Sequence, residues 1–144
     1  MCDKRPQLKI KKIHEDAKIP FLADPGCAGY DIFSTEDSEI FSRTRKLVST
    51  GISTEFSSNY YLRVAPRSGL SLKGIDIGAG VIDSSYRGEI KVLMINNSDI
   101  TVYFPKGSKI AQLIMEYCEQ PEIIVNETLS VTSRNESGFG SSGN

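Results

Sequence analysis

The chain has 144 residues, of which 39% are hydrophobic and 24% are charged, and this composition is typical of one globular domain large enough to bury a core. Its formal net charge of −1 excludes a global basic field that would hold nucleic acid or an anionic membrane. An anionic ligand would therefore need a local cluster of Lys and Arg side chains.

Short strands dominate the predicted secondary structure, because the apolar runs are rich in β-branched and aromatic residues and are bounded by polar turns. The predicted strands cover 8–13, 32–33, 46–56, 60–64, 89–95, 101–104, 109–117 and 123–125. One or two helical turns are predicted over 68–73 with Ser68 as N-cap, and 96–99 is predicted to be a hairpin loop. The pattern favours an all-β sandwich or barrel of Greek-key or jelly-roll type.

The last stretch, 130–144, consists almost entirely of Ser, Gly and other polar residues, as is typical of a flexible tail. Phe139 lies between two glycines, and an aromatic side chain on a flexible arm is suited to stacking on a base. Arg134 is close enough in sequence to reach a phosphate at the other end of the same ligand. We therefore expect a β domain over 1–129 and a flexible C-terminal arm over 130–144.

Cysteine and histidine usage limits the chemistry and the compartment. The three cysteines have no C-x-x-C spacing, so neither a disulfide framework nor a zinc site is predicted. His14 is the only histidine, which argues against a His-based metal site or a Ser-His-Asp triad. No apolar run approaches a membrane span and the first residues are polar, so we expect a protein of the reducing cytoplasm or nucleus, with no membrane or nucleic-acid partner.

The stretch 78–90 sets one carboxylate, Asp83, between a short apolar run and a turn that leads to Tyr86. Glycines within it allow tight reversal of the chain and close approach of a ligand to the backbone. These features predict a slot in which Asp83 orients a water molecule and Tyr86 packs against a flat or sugar-like ligand. The alternative is a solvated β-turn, since Asp and Ser are ordinary turn residues.

A phosphate-binding turn is predicted at 66–69, where a proline is followed by Arg67, Ser68 and Gly69. The alternative is a loop in which Ser68 only caps the turn. Asp31 is expected either to neutralise Arg67, to contribute to a magnesium shell, or to form a simple structural ion pair. Gln112 lies inside an apolar run, where an unsatisfied amide is costly, so it needs a backbone or ligand partner.

Five stretches in sequence order make the chain resemble the trimeric dUTPase family. They read A-G-Y-D-I-F-S at 28–34, P-R-S-G-L-S-L-K-G at 66–74, G-A-G-V-I-D-S-S-Y-R-G-E-I at 78–90, K-G-S-K-I-A-Q-L-I at 106–114 and R-N-E-S-G-F-G-S-S-G at 134–143. The resemblance implies a jelly-roll-like distorted β-barrel with one very short helix, assembled as an intertwined homotrimer with active sites shared between subunits. It also implies hydrolysis of dUTP to dUMP and pyrophosphate with Mg2+, which keeps uracil out of DNA and supplies the precursor of thymidylate.

The resemblance also implies a role for each matched residue. Asp83 would activate the water that attacks the α-phosphorus, and Asp31 would belong to the magnesium–water shell or orient Arg67. The hairpin would read uracil through backbone groups, Tyr86 would exclude a 2′-hydroxyl, and Phe139 would stack on uracil. The substrate-binding residues implied are Arg67, Ser68, Gly69, Gly80, Ile82, Tyr86, Gln112, Arg134, Phe139, Gly140, Ser141 and Ser142.

Two departures and two alternatives remain open at this point. The fifth stretch lacks two glycines that are common in the family, and Lys109 stands where arginine is frequent, which gives up bidentate geometry. One alternative is a dCTP deaminase on the same scaffold, although those enzymes do not keep this aspartate–tyrosine hairpin. The other is a nucleotide-sensing subunit that regulates a protein partner, but the presence of Asp83, Arg67 and Arg134 favours catalysis.

Overall fold

Short strands and one single-turn helix make up residues 4–140, the part of the chain that the computed structural model describes. In chain order the elements are β1 (Lys9–Lys12), β2 (Tyr30–Phe33), β3 (Ser38–Ile40), β4 (Arg45–Ser49), β5 (Ile52–Glu55), β6 (Tyr60–Ala65), α1 (Ser68–Leu72), β7 (Ile75–Gly78), β8 (Val81–Ile82), β9 (Lys91–Asn96), β10 (Val102–Phe104) and β11 (Lys109–Tyr117). The prediction of an all-β fold with one very short helix is confirmed. Because α1 has five residues, no described helix reaches the length and hydropathy of a membrane span.

The strands form small antiparallel sheets that do not close into a continuous barrel within residues 4–140. The largest sheet has the order β2-β11-β6-β8 and the next has the order β4-β9-β7, while β1 pairs with β5 and β3 pairs with β10. In the largest sheet, β11 lies between β2 and β6. This register places Gln112 opposite Asp31 on one side and opposite Ala65 on the other, which brings three distant parts of the sequence to one place.

One hydrophobic core lies between the sheets and holds them together. Strand β9 shows how the sequence specifies it, since Val92, Met94 and Asn96 are buried and alternate with less buried residues, as the pleat of a strand requires. The buried Asn96 amide is satisfied, because its Nδ2 donates to the carbonyls of Ile40 and Ile100 at 2.9 and 2.8 Å. Aliphatic side chains of several strands complete this core, including Ile32, Ile52, Leu62, Ile75, Ile90, Ile110 and Leu113.

Several details of the predicted elements are wrong. Ser68 is the first residue of α1, and the N-cap is Arg67, whose side chain makes no capping hydrogen bond. The loop that follows Asn96 is not a hairpin, because β10 pairs with β3 rather than with β9. The predicted strand over 46–56 is split into β4 and β5, since Gly51 adopts φ 69° and interrupts the extended chain between them.

The segment that follows β11 also departs from prediction. No strand forms at 123–125, although Ile123, Ile124 and Val125 have the β-branched side chains typical of one. All three side chains are largely exposed in the isolated chain. The strand is absent because no other segment of the described chain lies beside it to accept its main-chain hydrogen bonds.

Candidate active site

A cleft of about 460 Å³ opens beside the central strands of the largest sheet. The N-terminus of α1 contributes Arg67, Ser68 and Gly69 to its wall, β2 contributes Asp31 and β11 contributes Gln112. The structure therefore brings together five of the residues that the sequence predicted to contact phosphates or metal, but none of those on the C-terminal arm. We call this space the phosphate cleft.

Asp31 is held between two cations at the phosphate cleft. Its Oδ1 lies 3.3 Å from the Nε of Arg67, its Oδ2 lies 3.5 Å from the Nζ of Lys109, and its side chain is only 14% exposed. The predicted neutralisation of Arg67 is therefore present. Since Nε is paired with Asp31, the two terminal nitrogens of the guanidinium remain available to an anionic ligand.

Gln112 obtains its predicted backbone partner at the edge of the phosphate cleft. Its Nε2 donates to the carbonyl oxygen of Pro66 at 3.0 Å, which ties β11 to the turn that carries Arg67. The other side of the amide lies against Gly29, where an added Cβ would come within 2.3 Å of Oε1. Gly29 is therefore needed because the Gln112 side chain occupies the space of a Cβ.

Three further residues of the phosphate cleft region were not predicted as site residues. Cys27 and Lys73 line the cleft, and Lys109 pairs with Asp31. Cys27 belongs to the loop before β2 and Lys73 directly follows α1, so both are carried to the cleft by neighbours that were predicted. Their proximity in sequence to Gly29 and Gly69 was the available signal.

The side chains of the phosphate cleft are too few to bind a magnesium ion by themselves. No group of three or more His, Cys, Asp or Glu side chains within residues 4–140 is arranged to hold a metal ion, and Asp31 is the carboxylate that lines the cleft. Mg2+ commonly keeps several waters and is bound through one or two carboxylates together with substrate phosphates. The residues therefore fit a magnesium ion that arrives with a phosphate ligand, rather than a cage built by protein alone.

The loop before β11, at 105–108, is held in place by an ion pair and a hydrogen bond of Lys106. Lys106 Nζ lies 2.5 Å from Asp16 Oδ2, and the Lys106 N–H donates to Asp37 Oδ1 at 2.7 Å. The hydrogen bond between the two side chains lowers the pKa of Asp16 and raises the pKa of Lys106. This pairing holds the start of the segment that carries Lys109 and Gln112.

A second cavity of about 270 Å³ lies on the segment 77–90, which contains β8 and was predicted to be a hairpin. Strands β7 and β8 do not pair with each other, because β7 pairs with β9 and β8 pairs with β6, so the prediction of a paired β-hairpin is wrong. We keep the name hairpin for this segment. Asp83 and Tyr86 line it together with Val81 and Ile82, and the Tyr86 N–H donates to the Asp83 carbonyl at 3.1 Å across the turn. We call this space the hairpin cavity. The predicted grouping of a carboxylate, an aromatic ring and a short apolar run is present.

Gly80 makes the connection between β7 and β8 possible. It adopts φ 98°, and an added Cβ would lie 2.7 Å from the carbonyl oxygen of Val64, which is main chain and cannot move aside. The Val64 N–H donates to the Gly80 carbonyl at 2.7 Å, so the tip of the hairpin is bonded to β6. Gly80 therefore shapes the slot through its backbone, while Ile82 lines the hairpin cavity directly.

The two sites are separate in one copy of the chain. No described residue lines both the phosphate cleft and the hairpin cavity. The chain therefore does not bring Asp83 and Tyr86 into the cleft that holds Arg67 and Gln112.

The described part of the C-terminal arm lies apart from both sites. Arg134 donates from Nε to the Ser137 carbonyl at 2.7 Å, and Phe139 is fully exposed. Asn135 adopts φ 45°, a conformation that favours glycine and that asparagine tolerates better than most residues. Gly140 is described and exposed, whereas Ser141 and Ser142 lie outside the described residues.

Comparison with known proteins gives consistent results over nearly the whole chain. A family model described as dUTPase matches residues 15–143. The deoxyuridine 5′-triphosphate nucleotidohydrolase of Vaccinia virus (strain Copenhagen) is 49% identical over 127 residues, covering 88% of this chain and 86% of the relative. The protein of the same name from Paramecium bursaria Chlorella virus 1 is 47% identical over 137 residues, covering 94% of this chain and 97% of the relative.

The fold comparison agrees with the sequence comparison. The structure is similar to that of the Staphylococcus bacteriophage 80alpha dUTPase with dUpNHpp, with a TM-score of 0.89 and 28% identity, covering 95% of this chain and 98% of the phage chain. This similarity confirms the predicted fold class.

Proposed function

The chain belongs to the dUTPase family and hydrolyses dUTP to dUMP and pyrophosphate, and we propose that each of its active sites is assembled from several copies of the chain. The observation that carries this proposal is the separation of the phosphate cleft from the hairpin cavity. A phosphate-binding cleft without a catalytic carboxylate is incomplete. A neighbouring copy that inserts its hairpin beside the cleft supplies Asp83 and Tyr86.

The exposed apolar segment after β11 supports an intertwined homotrimer. Large apolar side chains that are exposed one after another commonly mark a protein–protein contact. In this chain they belong to a segment that finds no strand partner within its own copy, so a neighbouring copy is the natural partner. The exposed residues are Ile123, Ile124, Val125, Leu129 and Val131. The segment would then carry the arm away from its own β domain and toward a shared site.

Substrate phosphates bind in the phosphate cleft. Arg67 faces the triphosphate with the nitrogens that Asp31 leaves free, while Ser68 and Gly69 offer a hydroxyl and main-chain N–H groups. Gln112 contacts the α-phosphate end. Because these donors are fixed by the sheet before substrate arrives, they stabilise the charge that develops on the phosphate oxygens without reorganising.

Asp83 acts on the water. It orients and deprotonates the molecule that attacks the α-phosphorus, the bond from that phosphorus to the bridging oxygen breaks, and pyrophosphate leaves. A carboxylate is a weak base at neutral pH, so positioning of the water and stabilisation of charge supply most of the rate.

The hairpin selects the nucleoside. Main-chain groups around Gly80 and Ile82 hydrogen-bond to uracil, and the narrow slot excludes the methyl group of thymine and the donor–acceptor pattern of cytosine. Tyr86 packs on the deoxyribose and leaves no room for a 2′-hydroxyl. Its ring is suited to this contact because the side chain is 44% exposed and lines the hairpin cavity.

The arm, 130–144, closes over the bound substrate. Arg134 then exchanges its bond to the Ser137 carbonyl for the γ-phosphate, and Phe139 stacks on uracil. Gly140, Ser141 and Ser142 donate to phosphate oxygens. Closure excludes bulk water and strengthens each of these electrostatic contacts.

Magnesium would arrive with the triphosphate, and Asp31 would help to hold it through its water shell. When bound, the ion neutralises charge on the phosphate chain. We also propose that the protein acts on free nucleotide in the cytoplasm or nucleus, without a membrane or nucleic-acid partner, since its net charge is −1. There its activity keeps uracil out of DNA and supplies dUMP for thymidylate synthesis.

Two measurements test the proposal. The first is pyrophosphate release from dUTP, dCTP, dTTP and UTP, with and without Mg2+. We expect turnover of dUTP alone and a strict requirement for the metal. Release of ammonia from dCTP, or binding of dUTP without turnover, would instead favour the deaminase or the nucleotide sensor.

The second measurement tests whether sites are shared. Asp83→Asn and Arg67→Ala variants are each expected to be inactive, so the two are unfolded together, refolded as a mixture and assayed. If Asp83 and Arg67 of one site come from different copies, random mixing restores about one quarter of the sites. If both residues come from one copy, the mixture stays inactive, and the shared-site proposal is wrong even though the hydrolase assignment stands.

A further inference from the structure

We propose that Glu89 is a positioning residue that fixes the ring of Tyr86 and thereby sets the preference for deoxyribose over ribose. This inference rests on the proposed role of Tyr86 at the sugar. Glu89 lies three residues after Tyr86 and lines the hairpin cavity, but it does not belong to the residues predicted to contact substrate.

The Glu89 side chain fastens the end of the hairpin to the rest of the fold. Its Oε2 accepts a hydrogen bond from the Gly51 N–H at 2.8 Å and another from the Ser49 hydroxyl. Gly51 is buried, so its N–H would lose its partner if the carboxylate were removed. The Glu89 side chain is only 21% exposed, and these bonds therefore form in a partly desolvated place where they hold geometry well.

The Glu89 main chain in turn holds Tyr86. The Tyr86 hydroxyl donates to the Glu89 carbonyl oxygen at 2.9 Å. The ring folds over Gly88, where an added Cβ would come within 2.4 Å of the Tyr86 hydroxyl oxygen. The position of the ring therefore depends on where the Glu89 backbone lies. That backbone is held by the two hydrogen bonds of its carboxylate, together with the hydrogen bond from the Ile90 N–H to the Ile52 carbonyl at 2.8 Å.

Arg87 contacts the same loop but is less suited to this role. It donates to the Ser84 and Tyr86 carbonyls and pairs with Glu55 at 3.2 Å, yet its side chain is 54% exposed. Exposed ion pairs and long exposed side chains restrict geometry weakly. Of these two side chains, Glu89 is the one that joins the hairpin to buried structure.

Steric exclusion of a 2′-hydroxyl depends on the distance of the ring from the sugar. A displaced ring would admit ribose while leaving Asp83, Arg67 and the phosphate contacts able to act. Loss of the Glu89 carboxylate should therefore change the choice between dUTP and UTP more than it changes turnover of dUTP.

The test compares kcat/KM for dUTP with kcat/KM for UTP in the full-length protein. In Glu89→Ala we expect the ratio to fall by roughly three- to tenfold, the factor that one hydrogen bond typically contributes.

Glu89→Gln keeps an acceptor for Gly51 and Ser49 and should restore most of the ratio. Ser49→Ala removes one of the two donors and should give a smaller fall, and it serves as the test if Glu89→Ala fails to fold. Glu36→Ala removes an exposed carboxylate that lines neither cavity and serves as a control.

A double variant shows whether Glu89 acts through Tyr86. Tyr86→Phe loses the hydroxyl that Glu89 holds, so Tyr86→Phe with Glu89→Ala should lower the ratio no further than the larger single effect. Equal losses for dUTP and UTP, or fully additive losses of the ratio, would overturn the inference and leave Glu89 a purely structural residue. If the unaltered protein did not hydrolyse dUTP, the proposed function itself would have failed.

Discussion

The carboxylate of Asp31 lies 3.3 Å from the Nε of Arg67, and this contact aims the guanidinium into the phosphate cleft. The pair is partly buried, and the same carboxylate also faces Lys109 at 3.5 Å. The Asp31 carboxylate on β2 thus contacts both β11 and the residue before α1. The arrangement of the cleft therefore depends on the ion pair with Arg67, one of the roles predicted for Asp31.

Asp31→Asn should reduce kcat/KM for dUTP by about tenfold to a hundredfold, because charge-assisted hydrogen bonds contribute about 1.5–3 kcal/mol. If Asp31 acts chiefly by holding Arg67, the loss should be the same at every Mg2+ concentration. The measurement is kcat/KM as a function of Mg2+. Recovery of activity at high Mg2+ would show that Asp31 acts chiefly in the metal–water shell.

Asp83→Asn should bind dUTP nearly as well as the unaltered protein but lose turnover by about 10²–10⁴-fold, the usual contribution of a general base. Asparagine keeps the size of the side chain but cannot take a proton from water. Isothermal titration with dUTP and single-turnover kinetics separate the two properties. Retained turnover would remove Asp83 from the role of base.

Gly29→Ala should leave the fold intact and lower kcat/KM by roughly ten- to a hundredfold, since displacement of a positioning group by an ångström has effects of this size. The new Cβ would lie 2.3 Å from Gln112 Oε1, so the amide must leave its place beside the Pro66 carbonyl. Gly26→Ala is the matched control in the same loop, because its Cβ would meet only Asp24 Oδ1, at 3.3 Å. Unchanged activity in a folded Gly29→Ala protein would show that Gln112 has no role at the α-phosphate.

Phe139→Ala should weaken dUTP binding by about 1–3 kcal/mol, as expected for loss of a base–aromatic stack. The fully exposed ring has no packing role in the described structure, so the melting temperature should not change. The affinities for dUTP and for inorganic triphosphate are compared, and only the former should fall. An equal fall for both ligands would place Phe139 away from the base.

The ion pair of Asp16 and Lys106 should make stability depend on pH in a defined direction. The pKa of Asp16 is lowered below 3.8 by its hydrogen bond to Lys106, so the pair stabilises the fold above that pH and the effect is lost as the pH falls further. The pKa of Lys106 is raised above 10.5, so on the alkaline side the effect is lost as the pH rises beyond that value. Between about pH 5 and about pH 9 the contribution should be constant.

Asp16→Asn tests this dependence. Its urea midpoint should lie slightly below that of the unaltered protein in the neutral range, and the difference should vanish at strongly acidic pH. Glu122→Gln, an exposed carboxylate of the C-terminal segment, is the control. A difference that persisted below the pKa of Asp16 would attribute the effect to packing rather than charge.

Strong local patterns made much of the fold predictable. Strand β11 was predicted with its observed bounds, because a long apolar run predicts a strand without any knowledge of the neighbouring strands. Strand β3 was missed, since Ser38 and Glu39 have little strand preference and the strand exists because β10 lies beside it. The converse error at 123–125 has the same origin, because side chains suited to a strand do not form one where no partner lies alongside.

The candidate site was predictable in its residue types but not in its contacts. Arg67, Ser68 and Gly69 stand in one short stretch, so their grouping needed no tertiary information. The contact between Lys109 and Asp31 depends on the register of β11 against β2, which shifts between Lys109 and Ala111. A register shift of this kind cannot be predicted from the alternation of apolar and polar residues, and the contact of Lys109 with Asp31 was therefore missed.

The separation of the phosphate cleft from the hairpin cavity has a consequence for the behaviour of the enzyme at low concentration. If three chains are needed to complete a site, isolated chains are catalytically silent, however well folded they are. Below the concentration at which the assembly dissociates, the number of working sites should then fall as about the third power of the chain concentration, by mass action. Dilution alone would switch off the enzyme far more steeply than it reduces the amount of protein.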